Sequence, residues 1–217
     1  MKKLALIALS SLVLATAGCS SLLTQKTPPP TIYALHAAAP ENAGEEVVGL
    51  KKAKVISLAE PGVPAGFDTD RIALFLDNGR RLDYYANAKW PEHLGEVIQN
   101  VLIESAPVAE GITVVPPDAA AQPAYRLIAS VLDFAPHYQG GANGVPQLNV
   151  TVNFRLVEIA TDRLVLDVTL PATAAASANT QTAVVGGLEA LLQQVTASAY
   201  EQVSAAVKPK RAAKKPQ

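Results

Sequence analysis

Apolar and polar residues alternate along most of the chain, and this period of two predicts β-strands. The clearest case is 145–159, where five large apolar residues share one face and polar residues share the other. The apolar set is Leu148, Val150, Val152, Phe154 and Leu156. Similar but shorter patterns predict strands at 31–35, 53–58, 71–76, 81–85, 111–115, 124–136 and 163–170. In the last of these, Leu164, Leu166, Val168 and Leu170 are predicted to share one face.

Two stretches instead have the period of an amphipathic helix. The first begins at Pro91 and ends near Pro107, and the second covers about 182–207. The apolar stripes are Leu94, Val97, Ile98, Val101 and Leu102 in the first, and Leu188, Leu191, Leu192, Val195, Ala199, Tyr200 and Val203 in the second. The order ββββ-α-ββββ-α predicts an α+β fold, a mostly antiparallel β-sheet with two amphipathic helices packed on one face.

Three connections carry their own signals. Asn78-Gly79 predicts a tight hairpin between the third and fourth strands, because both residues tolerate positive φ. The loop 137–144 contains three glycines and is predicted to be mobile. The segment 172–182 consists of small residues and is predicted to be a linker.

The N-terminus reads as an export signal. Lys2 and Lys3 precede a 14-residue apolar stretch, 4–17, which is too short to span a membrane, since spanning needs about 20 apolar residues. Gly18 and Cys19 follow it, and Cys19 is the single cysteine of the chain. This ending resembles the lipobox of bacterial lipoproteins, although Thr16 stands where leucine is usual. The alternative is a plain signal peptide with an incidental cysteine.

That resemblance implies cleavage before Cys19, diacylation of its thiol and acylation of the new amine. The predicted division is then a lipoprotein signal peptide at 1–18, a lipidated, proline-rich tether at 19–30, a folded domain at 31–207 and a basic disordered tail at 208–217. Ser20 stands where aspartate would retain a lipoprotein in the inner membrane. The periplasmic face of the outer membrane is therefore the expected location.

Charge is distributed unevenly over the mature chain. Five basic residues lie in the last ten positions, whereas 19–207 carries 11 Lys and Arg against 19 Asp and Glu. An acidic body argues against nucleic acid as a partner. The tail is interpreted as a solvated end, or as a contact with anionic lipid, a partner protein or peptidoglycan.

The sequence contains no residue pattern that is typical of catalysis or of metal binding. The histidines His36, His93 and His137 lie in three different elements without ligand spacing. We therefore expect no catalytic residues, no metal and no cofactor. Asp68 and Asp70 are interpreted as capping the turn before the third strand, with a pair for acid or metal chemistry as the alternative. Trp90 is interpreted as core, with a partner contact as the alternative, and Tyr84 and Tyr85 are candidate partner-contact residues.

The whole chain resembles the ABC-type transport auxiliary lipoproteins, a family that includes the lipoprotein of the paraquat-inducible system. The lipobox, Tyr33-Ala34-Leu35 after a proline-rich tether, and Asp68-Thr69-Asp70-Arg71-Ile72 carry the resemblance. The stretch from Tyr84-Tyr85 to Trp90-Pro91 before a helix is its most specific part.

This resemblance implies a non-enzymatic outer-membrane component of a transport system that moves phospholipid or other apolar molecules across the periplasm. Its partners would be a mammalian-cell-entry (MCE) protein with its permease and ATPase, the membrane through acylated Cys19, and further copies of itself in a homo-oligomer. Exposed edge strands and the 137–144 loop would be its contact sites. The alternative function is a structural lipoprotein that assists assembly of an outer-membrane barrel.

Overall fold

A computed structural model describes residues 28–38, 53–106 and 111–208. The chain divides at Thr31, and the folded unit described below begins there. The predicted signal peptide, Cys19, residues 39–52 and the tail beyond Lys208 lie outside the described residues.

The described residues form eight strands and two helices in the predicted order. The strands are β1 (Thr31–Ile32), β2 (Lys54–Leu58), β3 (Arg71–Leu76), β4 (Arg81–Lys89), β5 (Ile112–Val115), β6 (Tyr125–His137), β7 (Gln147–Glu158) and β8 (Arg163–Ala175). The helices are α1 (Leu94–Glu104), between β4 and β5, and α2 (Gln181–Val207), after β8. The α+β architecture is confirmed.

The sheet is mixed, so the prediction of a mostly antiparallel sheet was wrong. Pairs β3–β4, β6–β7 and β7–β8 are antiparallel, whereas β1–β4, β2–β5, β2–β6 and β3–β6 are parallel. The antiparallel pairs are the ones that short loops join. The parallel pairs join strands that are distant in sequence, and such long connections allow the chain to cross over.

Strand β6 is the branch point of this sheet. One edge pairs along its whole length with β7. The other edge pairs with β2 at Tyr125–Leu127 and with β3 at His137. Strand β5 continues the β2 branch, and β4 with β1 continues the β3 branch. Strand β8 pairs with β7 and ends the sheet on the other side.

The main core lies between the sheet and the helices. All five predicted inward residues of β7 are fully buried. Helix α2 approaches β7 so closely that a Cβ on Gly187 would overlap the Leu148 side chain. The Tyr200 hydroxyl of α2 donates a hydrogen bond to the Leu102 carbonyl of α1, so the two helices are neighbours.

Three strands end three or more residues away from their predicted ends, and helix α1 is Leu94–Glu104 rather than beginning at Pro91. Strand β1 has two residues rather than five, and β4 continues to Lys89. Strand β8 continues to Ala175, so the first part of the predicted 172–182 linker is strand. Its alanines and threonines give little hydrophobic signal, but they pair with Gln147–Val150 of β7.

A β-bulge interrupts the predicted stripe of β8. The register with β7 shifts, so that Leu166 pairs with Leu156 while Leu164 pairs with Val157. Because alternate residues of β7 face opposite sides, Leu164 is turned to the outer face, where it is 51% exposed. The prediction that Leu164 shares one face with Leu166, Val168 and Leu170 was therefore wrong.

Candidate functional site

Three segments meet at one end of the sheet. They are the tip of the β3–β4 hairpin (77–80), the β6–β7 loop (138–146) and the residues before α2 (176–180), and we call this surface the loop end. The hairpin is the predicted one, with positive φ at Asp77, Asn78 and Gly79. The amides of Asp77 and Asn78 donate to the carbonyls of Gly140 and Tyr138, each at 3.2 Å.

A chain of side-chain hydrogen bonds holds the loop end together. The Tyr138 hydroxyl donates to Asn179 Oδ1 at 2.8 Å, and the Asn179 amide donates to the Ala142 carbonyl at 2.9 Å. The hydroxyls of Tyr85 and Tyr138 are 2.7 Å apart, and Tyr85 is the donor because Tyr138 has already used its one proton. The loop that its glycines predict to be mobile is thus fastened at its start and in its middle.

Burial keeps the Tyr85 hydroxyl protonated. Tyr138 is 3% exposed, and Leu74 and Leu76 pack against it. Burial, and then the hydrogen bond to Tyr138, raise the pKa of Tyr85 far above the usual value for a phenol. Tyr85 therefore keeps its proton at physiological pH, so it remains a donor.

A cavity of about 350 Å³ opens beside the β6–β7 loop. Its lining includes Tyr138, Gly140, Gly141, Val145, Gln147 and Ala175. His137 also lines it, and the His137 imidazole is 2.9 Å from the carboxylate of Asp133. Val145 is 57% exposed, which is high for a valine. The site therefore combines glycine backbone, amide side chains and a small apolar surface.

The structure separates the three candidate contact residues. Trp90 is 1% exposed and packs edge-on against Phe134, which confirms its interpretation as core and leaves no surface for a partner. Tyr85 lies on β4, and its hydroxyl contacts Tyr138 of the loop end. Tyr84 lies on the opposite face of the sheet, where its hydroxyl donates to the Gly66 carbonyl at 3.0 Å and the Arg71 guanidinium covers its ring.

Other charged residues form separate pairs. His36 contacts Glu189, and His93 contacts Asp68 at 3.6 Å. The Asp70 carboxylate is 3.1 Å from Lys89 Nζ of β4. The two aspartates thus contact the N-cap of α1 and β4, and their capping of the turn stays a prediction. In the described part of the chain, no cluster of three His, Cys, Asp or Glu residues could hold a metal ion.

Two residues of the loop end were not identified from the sequence. Tyr138 follows a long strand, and Asn179 lies in a polar stretch before a helix. A tyrosine after a strand and an asparagine before a helix are both common in loops, so neither residue stands out in the sequence. Their shared role depends on β3, β4 and β6 becoming neighbours, which a local pattern does not specify.

These features define a small α+β domain that follows a predicted lipid attachment site and offers a structured loop surface. No helix among the described residues is long and apolar enough to cross a membrane. The chain belongs to the family described as the ABC-type transport auxiliary lipoprotein component, which matches residues 33–199.

Solved structures share this fold. The crystal structure of protein XCC0632 from Xanthomonas campestris matches with a TM-score of 0.67 and 20% identity, over 81% of this chain and 95% of that chain. The crystal structure of an uncharacterized protein matches with a TM-score of 0.61 and 13% identity, over 81% and 99%. At such identities the likeness concerns the fold alone. None of the curated proteins compared with the chain matches it.

Proposed function

We propose that this protein is the outer-membrane lipoprotein of an MCE-type ABC transport system, and that it acts there as a non-enzymatic docking module. Membership of the transport auxiliary lipoprotein family over residues 33–199 carries the proposal. The cargo would be phospholipid or another apolar molecule that crosses the periplasm.

The sequence supports attachment to the outer membrane. The short apolar stretch ends at Cys19, and Ser20 rather than aspartate follows it. One acyl chain alone binds a membrane marginally, but three chains together would hold the protein there. The folded unit begins at Thr31, so a tether of about 12 residues in extended form would reach roughly 40 Å.

The interior supports a docking role rather than carriage of lipid by this domain. The inward residues of β7 and the facing residues of α2, such as Leu188 and Leu192, are fully buried against one another. The cavity at the loop end, about 350 Å³, is at the lower limit for a drug-sized ligand, and a phospholipid with two acyl chains is larger. We assign lipid binding to the MCE protein.

The experiment is co-purification from membranes of the native organism. The full chain with an affinity tag at its C-terminus would be crosslinked in cells, solubilised and analysed by mass spectrometry. We expect enrichment of an MCE protein, a permease and an ATPase. The Cys19→Ser chain is the matched control, and we expect it to lose both the outer-membrane fraction and these partners. Wild-type protein that enriches none of the three would contradict the proposal.

The assignment of lipid binding to the MCE protein rather than to this domain is tested separately. The Cys19→Ser chain carries no acyl groups, so phospholipid bound to it can be detected by native mass spectrometry. We expect no stoichiometric phospholipid. One phospholipid per chain would show that the domain itself carries cargo.

A further inference from the structure

The free edge of β8 is open along one short stretch. Within the described residues, β8 pairs with β7 alone, and its 13 residues end the sheet. The bulge that turns Leu164 outward disrupts its first part. Pro171 interrupts the middle of this edge. A paired strand accepts proline only where the ring nitrogen faces away from the neighbouring strand, so the Pro171 nitrogen faces the free edge. That nitrogen has no proton to donate to a further strand. The regular part that remains is 172–175.

This open stretch adjoins the cavity of the loop end. Ala175 pairs with Gln147 at the end of the β7–β8 ladder, and both residues line the cavity. Thr173, Ala174 and Ala175 are all exposed. An extended segment that paired with this stretch would run directly past the cavity and could place a side chain in it.

The charges of the cavity indicate which ligand it fits. Apart from Tyr138, His137 is the one ionisable residue of the lining, and Asp133 already pairs with it. Among the described residues the lining contains no lysine or arginine, the side chains that bind a phosphate headgroup most strongly. It offers the side-chain amides of Gln139 and Gln147, glycine backbone and the exposed Val145, and these groups match an uncharged polypeptide.

We propose that the loop end and residues 172–175 of β8 bind an extended, uncharged segment of a periplasmic protein partner, with one apolar side chain of that segment in the cavity. This inference rests on the proposed function, since it names the surface through which the docking module would hold its partner. The hydrogen-bond chain through Tyr138 and Asn179 keeps the loop in the binding shape, so little ordering is needed on binding.

The experiment uses the full acylated chain in detergent and a phage-displayed library of random linear 12-residue peptides. Gly141→Trp fills the cavity. Gly141 does not require positive φ, and a Cβ there meets nothing within 4 Å. The matched control is Gly186→Trp on the exposed side of α2, where a Cβ also meets nothing within 4 Å. Urea unfolding of both variants verifies that they fold.

We expect enriched peptides to be uncharged, to contain a central apolar residue, and to bind Gly141→Trp at least about tenfold more weakly, a loss of about 1.4 kcal/mol. Binding to Gly186→Trp should match wild type. Thr173→Pro removes an N–H on the same edge as the Pro171 nitrogen, and it should weaken the same peptides if they add as a strand.

Three results would overturn the inference. They are failure to enrich any peptide, equal binding to Gly141→Trp and wild type, and binding of phosphatidylglycerol vesicles by the Cys19→Ser chain that Gly141→Trp abolishes. The outcome is separable from the proposed function. If the transport proteins co-purify equally with wild type and Gly141→Trp, the loop-end assignment is wrong while the docking function remains.

Discussion

Adjacent glycines in α2 should respond oppositely to the same substitution. Gly186 is exposed, and a Cβ there meets nothing within 4 Å. A Cβ on Gly187 would overlap the end of the Leu148 side chain, which is fully buried. The perturbation is Gly→Ala at each position, so both variants gain the same methyl group in the same helix.

The magnitudes follow from two competing effects. Alanine stabilises a helix interior by about 0.5–1 kcal/mol relative to glycine. Gly186→Ala should therefore raise the free energy of unfolding by that amount. Gly187→Ala has the same gain, but an added methyl in a packed core costs about 1–3 kcal/mol. We expect a net loss of up to about 2.5 kcal/mol, so the two variants should differ by about 1–3 kcal/mol.

Urea unfolding monitored by tryptophan fluorescence is the assay, because Trp90 is the single tryptophan and is buried. Leu148→Ala provides the control background. That substitution alone costs about 2–5 kcal/mol, but it removes the atoms that a methyl on Gly187 would meet. In this background Gly187→Ala should become stabilising. Stabilisation by Gly187→Ala in the wild-type background, or equal destabilisation in both backgrounds, would refute the packing argument.

Three further predictions concern the loop end, pH and membrane attachment. Tyr138→Phe leaves the half-buried Tyr85 hydroxyl without its acceptor, and it should lower the free energy of unfolding in urea by about 0.5–1.5 kcal/mol. Tyr125→Phe is its control, because the Tyr125 hydroxyl makes no hydrogen bond among the described residues, and it should change this free energy little. Folding raises the pKa of Tyr85 above its unfolded value of about 10, so the stability it contributes is complete below that pH and is lost as pH rises further. Urea midpoints should therefore fall more steeply above about pH 10 in wild type than in Tyr85→Phe. Cys19→Ser should leave the washed outer-membrane fraction on sucrose gradients, and a variant that stays there would contradict lipid attachment.

Local patterns predicted the elements better than their arrangement. The bounds of β3 were predicted to the residue, because Asn78-Gly79 marks the turn after it and Ile72, Leu74 and Leu76 give a regular period. The parallel pairs of β2 and β3 with β6 were missed. Parallel pairing depends on crossovers between distant segments, and no single stretch of sequence records which strands become neighbours.

The same limit applies to the candidate site. The glycines of the loop 137–144 predicted mobility, and in the structure this loop forms part of the cavity wall. Its role as a contact site stays a prediction. The sequence does not predict a role for Tyr138, since one tyrosine after a strand carries no distinctive signal. Its role arises when β4 and the start of α2 bring Tyr85 and Asn179 to the same hydroxyl.

The role of Pro171 depends on strand pairing, which the sequence does not show. In the sequence it reads as the end of a strand, and it was followed by a predicted linker. In the structure β8 continues past it, paired with Thr151 of β7. A long, uninterrupted free edge would invite pairing with any extended chain, and proline on an edge limits this. Because Pro171 closes the middle of the edge while 172–175 stays regular beside the cavity, a segment that binds here must satisfy the cavity as well as the backbone. Selectivity for one partner would then come from the side chain that enters the cavity, which is why filling it at Gly141 should affect binding more than a substitution elsewhere on the surface.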